Sequence, residues 1–421
     1  MIRRIRNMIL KYRNKCLPIF DQGVVSGGSF ILGILLAREL GLLLYGEYTL
    51  IWLVVLFCSS LHQAWLIYPM YTFAPQLKEE ERKGYFDALL VHHLVFNSLA
   101  SILSFGLITL AGHFFSDMKI EGIGIWVALT VFAYLMYDFF RRTYYAQESI
   151  QNALLLDVLV YGIQTLGILI CIKLSLLDLK VTLMIVSCSY ILSIYVGIQK
   201  LRRFRWEKEQ FLKILKSHWN FSKWLLATAL LQWVSGNFFI VAAAGILSPV
   251  VVGVIRILQN IIGVLHVLFL ALENYVPIRA SKILQIDGID NLGVFLRQVT
   301  WKGGVVTFLI ATLIALFGEE IIDLLYQGKY TEYANLLYGF AFLYLLVFIG
   351  TNYRFAIRTL KQTKSIFVAY LWSVAFSLIF AKSIVQSFGI EGVIAGLILS
   401  QLIMQAYFRN SIRTKLKLFW K

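Results

Sequence analysis

The sequence predicts an all-α integral membrane protein: about twelve transmembrane helices in two pseudo-symmetric six-helix bundles, with both termini cytoplasmic. Three observations predict it. Hydrophobic residues make up 59% of the 421 and charged residues only 15%, against about 25% charged in an ordinary soluble chain. Apolar windows long enough to cross a roughly 30 Å hydrocarbon core recur along the whole chain. The Lys and Arg residues alternate between the loops on one side and those on the other.

The windows fall at 18–37, 48–73, 88–112, 122–140, 153–172, 180–198, 222–246, 250–274, 302–318, 334–352, 365–384 and 389–408. With the N-terminus inside, 32 of the 39 Lys and Arg lie in cytoplasmic segments. Outside lie only Arg38, Lys119, Lys173, Lys180, Lys329 and Lys382, while Arg256 is within a span. A one-span shift of register would reverse this bias. The net charge of +16 is therefore a topology signal and needs no nucleic-acid partner.

Residues 1–17 have a basic start without a cleavage site, which predicts a retained interfacial amphipathic segment. A six-helix bundle is expected over 18–198 and another over 222–408. Between them, 199–221 is basic but carries Phe211, Leu212, Ile214, Leu215 and Trp219, the pattern of an amphipathic surface helix. A basic tail, 409–421, closes the chain. Val25–Phe30 matches Val234–Phe239, and at an offset of 204 His62 meets His266, Tyr71 meets Tyr275 and Lys78 meets Lys282. These matches point to a parallel duplication, and two such bundles around a cleft suit alternating access.

The eighth window carries Arg256, Gln259, Asn260, Gly263, His266, Glu273 and Asn274. On a straight helix all seven share one arc of about 140°. Arg in lipid costs several kcal/mol, so this stripe is expected to face other helices or a watered cavity. Other windows also gather polar and small residues on one face: Gln22, Ser26, Ser29 and Gly33 in the first; Thr49, Ser59, Ser60 and Gln63 in the second; Thr228, Gln232, Ser235 and Gly236 in the seventh. Such faces serve either as helix contacts or as cavity walls.

Asp138 precedes Arg142 by four residues and Arg141 by three, the spacing of a helical ion pair, with a gate at the cytoplasmic mouth as the alternative. His62, His266 and Glu273 are candidates for a gate or for ion coupling. Four scattered cysteines with no histidine at ligand spacing give neither a disulfide framework nor a metal site. The sequence lacks a Gly-rich P-loop, an H-E-x-x-H helix and a G-x-S-x-G elbow, so neither ATP hydrolysis nor another catalytic residue is expected. No cofactor is expected either.

Asp21–Tyr48 reads DQGVVSGGSFILGILLARELGLLLYGEY. This stretch resembles the start of the polysaccharide exporters of the multidrug/oligosaccharidyl-lipid/polysaccharide (MOP) superfamily, including Wzx-type flippases of lipid-linked O-antigen. The residues carrying the resemblance are Asp21, Gly23, Ser26, Phe30, Ala37, Arg38, Leu40, Gly41, Tyr45, Gly46 and Tyr48. Ser29 stands where the family often has Asn; the second half keeps Asn237 before Phe238. The resemblance implies a MATE-like fold in a bacterial cytoplasmic membrane. It also implies a substrate, an undecaprenyl-diphosphate-linked oligosaccharide destined for O-antigen, capsule or exopolysaccharide, and polysaccharide-assembly proteins as partners beside membrane lipid.

Under that reading Arg256 binds the diphosphate, because a guanidinium grips phosphate oxygens bidentately. Gln259, Asn260, Gln63, Gln232 and Ser26 complete the polar lining. A multidrug or metabolite exporter of the same superfamily is the nearest alternative, and it would want a carboxylate in the cavity. A polysaccharide polymerase or ligase comes next, but the longest outer loop, about 319–333, is short and acidic.

Overall fold

A computed structural model describes residues 2–114, 122–198, 208–413 and Leu416, with side chains placed from Leu17 onward except at 19, 113–114, 196–198 and 274. No strand occurs among the described residues. Lipid offers backbone amides no hydrogen-bond partners, and the helix satisfies them within one segment. Among the described residues, eight helices are long and apolar enough to cross a membrane, or nine if one bent pair counts as a single span. The chain is a multi-pass membrane protein.

The helices run α1 (Ile2–His62), α2 (Tyr68–Phe73), α3 (Glu79–Phe114), α4 (Gly124–Ala146), α5 (Ile150–Lys173), α6 (Leu179–Ile198), α7 (Lys208–Ile246), α8 (Pro249–Ile262), α9 (Leu265–Ile286), α10 (Gly288–Leu316), α11 (Gly318–Tyr326), α12 (Leu336–Thr359) and α13 (Thr363–Arg413). Their ends follow local chemistry. Glu79, Glu80 and Glu81 meet the positive end of the α3 dipole, and Pro249 opens α8, where no backbone N–H is needed. Glu148, Ser175 and Lys361 take left-handed φ values after α4, α5 and α12. The chain then bonds back, as Ser149 N–H does to the Tyr144 carbonyl at 2.8 Å.

The twelve windows fall on helix except at 122–123, 263–264, 317 and 334–335. The first two share α1 and its continuation to Gln76, and the last two share α13. Both long helices break at a glycine that L-residues cannot easily replace: Gly41 at φ 72, ψ 169 and Gly389 at φ 57, ψ −135. The expected N-terminal segment is helical in backbone and continuous with the first window.

The second window ends in a π-helical turn, Gln63–Ile67. Pro69 accounts for it: with no N–H to give the Trp65 carbonyl, and a ring that crowds it, proline forces the ladder open. Tyr68 N–H reaches back to the Gln63 carbonyl instead.

The chain forms two compact units, Met1–Leu230 and Leu231–Lys421. In the first, Leu66, Met70, Leu89, Phe139, Phe140, Leu156, Val160 and Tyr190 belong to one buried apolar cluster. In the second, Val276, Leu292, Leu296, Phe355, Ile357, Ala369 and Phe408 form another.

Two expectations need correction. Residues 199–207 of the expected linker lie outside the described residues, but from Lys208 the rest is no separate surface helix; it is the start of α7, unbroken through the seventh window. Its apolar side is used on the first unit. Phe211 stacks on His92 at 4.1 Å, Trp219 meets Trp65 at 5.7 Å, and Ser222 Oγ donates to the freed Trp65 carbonyl at 3.2 Å.

The eighth window, secondly, is not one straight helix. α8 and α9 meet at a 61° bend, so the seven-residue arc does not hold across it. Gly263 permits the bend: a Cβ there would sit 2.8 Å from the Gln259 carbonyl oxygen. Tighter i to i−3 bonds follow, from His266 N–H to the Gly263 carbonyl and from Val267 N–H to the Val264 carbonyl.

Nothing lies within 4 Å of a Cβ built on Gly41, so Gly41→Ala is penalised by backbone strain alone, about 1–3 kcal/mol. Gly23, helical and equally open, is the control: Gly23→Ala gains about 0.5–1 kcal/mol. Thermal unfolding of the purified protein in detergent is expected to move in opposite directions for the two variants.

Candidate functional site

In the first unit, Arg141 on α4 bridges two carboxylates from other helices. Its Nε donates to Asp157 Oδ2 at 2.7 Å and Oδ1 at 3.0 Å on α5, and its Nη2 to Asp21 Oδ2 at 2.6 Å on α1. Tyr137 donates its hydroxyl to Asp157, and Tyr145 to Asp21. Both aspartates are fully buried. A carboxylate survives there only with a cation and hydrogen bonds around it, and this assembly supplies both.

Sequence reasoning assigned Arg141 no partner beyond α4. The signal was present nonetheless: Asp21, Arg141 and Asp157 are ionisable residues on apolar helices, which must find one another.

One helical turn on, the expected Asp138–Arg142 pair is formed. Arg142 Nε donates to both Asp138 oxygens, at 2.8 and 2.9 Å. Asp138 Oδ2 also lies 4.0 Å from His62 Nδ1. His62 is buried at the last residue of α1, and its Nε2 is 2.9 Å from His93 Nδ1 on α3. Asp21, Asp138 and Asp157 with Arg141 and Arg142 make a set of five charges with one negative charge in excess, which one added proton would neutralise.

The remaining candidates of the first unit are less engaged. Gln63 opens the π turn and donates to Ser59 Oγ at 3.1 Å, while the exposed Ser26 accepts from Gln22 at 3.0 Å. Ser29 Oγ bonds the Tyr161 hydroxyl at 3.2 Å, so part of the first-window stripe is a helix contact.

In the second unit Arg256 is half-buried on α8, on a helix otherwise packed through Val252, Ile255, Leu258 and Ile262. Among the described residues it has no hydrogen-bond or ion-pair partner. Gln259 is likewise half-buried and without a side-chain bond; Asn260, beside it, is half-buried but bonded. The Arg256 charge is felt at His266 and at Tyr344 of α12, and those two side chains meet at 3.1 Å. His266 and Glu273 are exposed on α9, beyond the bend. Gln232 is exposed on α7, whereas Ser235 of the same stripe is buried against Ser373 at 2.7 Å.

His62 and His266 thus occupy matching places in the two halves but different environments. Among the described residues, no cluster of three or more His, Cys, Asp or Glu side chains forms a metal site.

The fold is similar to that of solved transporters of the MOP superfamily. A multidrug-resistance MATE family transporter of that superfamily, inward-facing, has TM-score 0.71 at 12% identity, over 93% of this chain and 94% of that one. The lipid II flippase MurJ, in an inward closed conformation, has TM-score 0.70 at 14% identity, over 97% of this chain and 89% of that one. A Vibrio cholerae MATE transporter has TM-score 0.65 at 16% identity, over 98% and 99%. At these identities the likeness is one of fold. No protein-family model and no curated protein matches the sequence.

Arg141 neutralises two carboxylates and Arg142 one, which sets their removal apart. Arg141→Ala leaves two buried carboxylates facing each other and is expected to destabilise by about 3–5 kcal/mol. Arg142→Ala, at a more exposed guanidinium (23% against 14%), is expected to lower the unfolding midpoint less. Equal midpoints for the two variants would contradict the bridging role of Arg141.

Proposed function

We propose that this chain is a flippase that carries an undecaprenyl-diphosphate-linked oligosaccharide across a bacterial cytoplasmic membrane by alternating access. Twelve crossings, six in each half, and both termini in the cytoplasm are part of the same reading.

One observation carries it: Arg256 sits half-buried on an apolar helix, and among the described residues no anion pairs with it. A guanidinium in that position is expensive to keep unless something negative visits it. A sugar diphosphate supplies two anionic groups in the spacing that the planar fork of Arg grips. Gln259 and Asn260, one turn along α8, present amide groups suited to sugar hydroxyls. Gln232, Gln63 and Ser26 are assigned to the same polar lining, and Glu273 and His266 to the gate. The lipid tail stays in the bilayer throughout.

The fold likeness to a lipid II flippase supports a lipid-diphosphate cargo, and the likeness to multidrug transporters supports the drug-exporter alternative. The charges favour the first. A cationic drug needs an unclaimed carboxylate, whereas Asp21, Asp138 and Asp157 are all held by arginines.

The test is glycan display by cells that depend on this chain. Arg256→Ala removes charge-assisted hydrogen bonds together worth about 1.5–3 kcal/mol, roughly ten- to a hundredfold in substrate affinity. Lost display at normal protein abundance is therefore expected, and Arg256→Lys is expected to restore part of it. Unimpaired display in Arg256→Ala would remove Arg256 from the mechanism.

A further inference from the structure

The His62–His93 pair belongs to neither the Arg141 bridge nor the Arg256 site, and its atoms form a line. His93 Nε2 stands 3.0 Å from Met136 Sδ, His93 Nδ1 stands 2.9 Å from His62 Nε2, and His62 Nδ1 faces Asp138 Oδ2 across 4.0 Å. An N–H fills each of the first two, while the third, at 4.0 Å, is an ion-pair distance that closes to a hydrogen bond only when the ring or the carboxylate moves. Bonding at all three takes three protons, and two neutral imidazoles carry two.

Every tautomer leaves at least one gap with lone pairs on both sides. With protons on His93 Nδ1 and His62 Nδ1, His93 Nε2 faces sulfur bare. With protons on both Nε2 atoms, His62 Nδ1 faces a carboxylate bare. With protons at the two outer nitrogens, the 2.9 Å gap is empty. His62 Nδ1 has no hydrogen-bond partner here, so the line is short by one proton at a fully buried site.

We propose that His62 and His93 together form a proton-binding site, which takes up a single proton shared along the line and balanced by Asp138. The added proton completes all three gaps and breaks no covalent bond. Its surroundings fit a cation: the Phe139 ring lies parallel to His93 at 4.4 Å, and Phe96 lies 5.6 Å from His62.

The other charged and titratable groups facing the pair come from α4 and α2. Arg142 opposes uptake, both by its charge and by holding Asp138, and Tyr71 offers Arg142 an alternative partner. Uptake therefore draws Asp138 across the 4.0 Å gap and loosens Arg142. Movement of His62 passes directly into the π turn, whose Trp65 carbonyl is gripped by Ser222 of α7. The proton is in this way coupled to the helix that continues into the second unit. Its use to drive transport rests on the flippase reading; the binding site itself does not.

The experiment is an acid–base titration of the full chain in lipid nanodiscs with 15N-labelled histidine, followed by imidazole NMR without substrate. A 15N–15N coupling through the hydrogen bond marks the pair among the six histidines in the wild-type protein. On acidification the pair is expected to lose its unprotonated-nitrogen signal in one joint step, and His93→Gln is expected to abolish that step. A pair that keeps a bare nitrogen across the whole range, or two histidines that titrate separately, would overturn the proposal. Because no lipid-linked glycan is present, failure here is distinct from failure of the flippase assignment.

Discussion

Arg141 is the contact on which the first unit depends. In a chain with 59% hydrophobic residues, an ion inside a helical bundle has no water to fall back on, so its partners must come from the protein. One planar guanidinium meets that demand for two helices at once, holding Asp157 of α5 through Nε and Asp21 of α1 through Nη2. Tyr137 and Tyr145 fill remaining acceptor positions. A lysine could not do the same, because its point charge lacks the fork that spans two carboxylates. The neighbouring Arg142–Asp138 pair then has to share the interior with His62, and the proton shortage along the histidine line follows from that crowding.

The second unit handles charge differently. Arg256 is half-buried like Arg141 and Arg142, yet no carboxylate is directed at it. His266 and Tyr344 lie within range of its charge, and neither supplies an anion. A protein keeps such a group where something arrives to meet it. The physical contrast between the two units is therefore between charge already compensated and charge that, among the described residues, is left open.

Much of this was legible from local pattern. Helix windows follow from hydropathy and length, and the i, i+4 spacing found the Asp138–Arg142 pair. Gly41 stood out in the Asp21–Tyr48 stretch, and its φ of 72 explains why a glycine is needed there. The illegible parts are non-local or hinge on one residue. Asp21 and Asp157 are 120 and 16 residues from Arg141, and no periodicity relates them. His62 pairs with His93 across two helices, not with the repeat-related His266. Pro69 displaces the ladder at Trp65, four residues earlier, and Gly263 bends what hydropathy reads as one span. α7 runs on through the expected linker because hydropathy marks where a chain turns polar, which is not where a helix must stop.

The most direct measurement is transbilayer movement by the purified chain in liposomes. Two fluorescent cargoes are offered side by side, an undecaprenyl-diphosphate oligosaccharide and an amphiphilic organic cation. A half-buried guanidinium on α8, with Asp21, Asp138 and Asp157 held by arginines, predicts that the lipid-linked glycan crosses and the cation does not. Movement of the cation alone would contradict the account, and would place this chain with the drug exporters whose fold it shares.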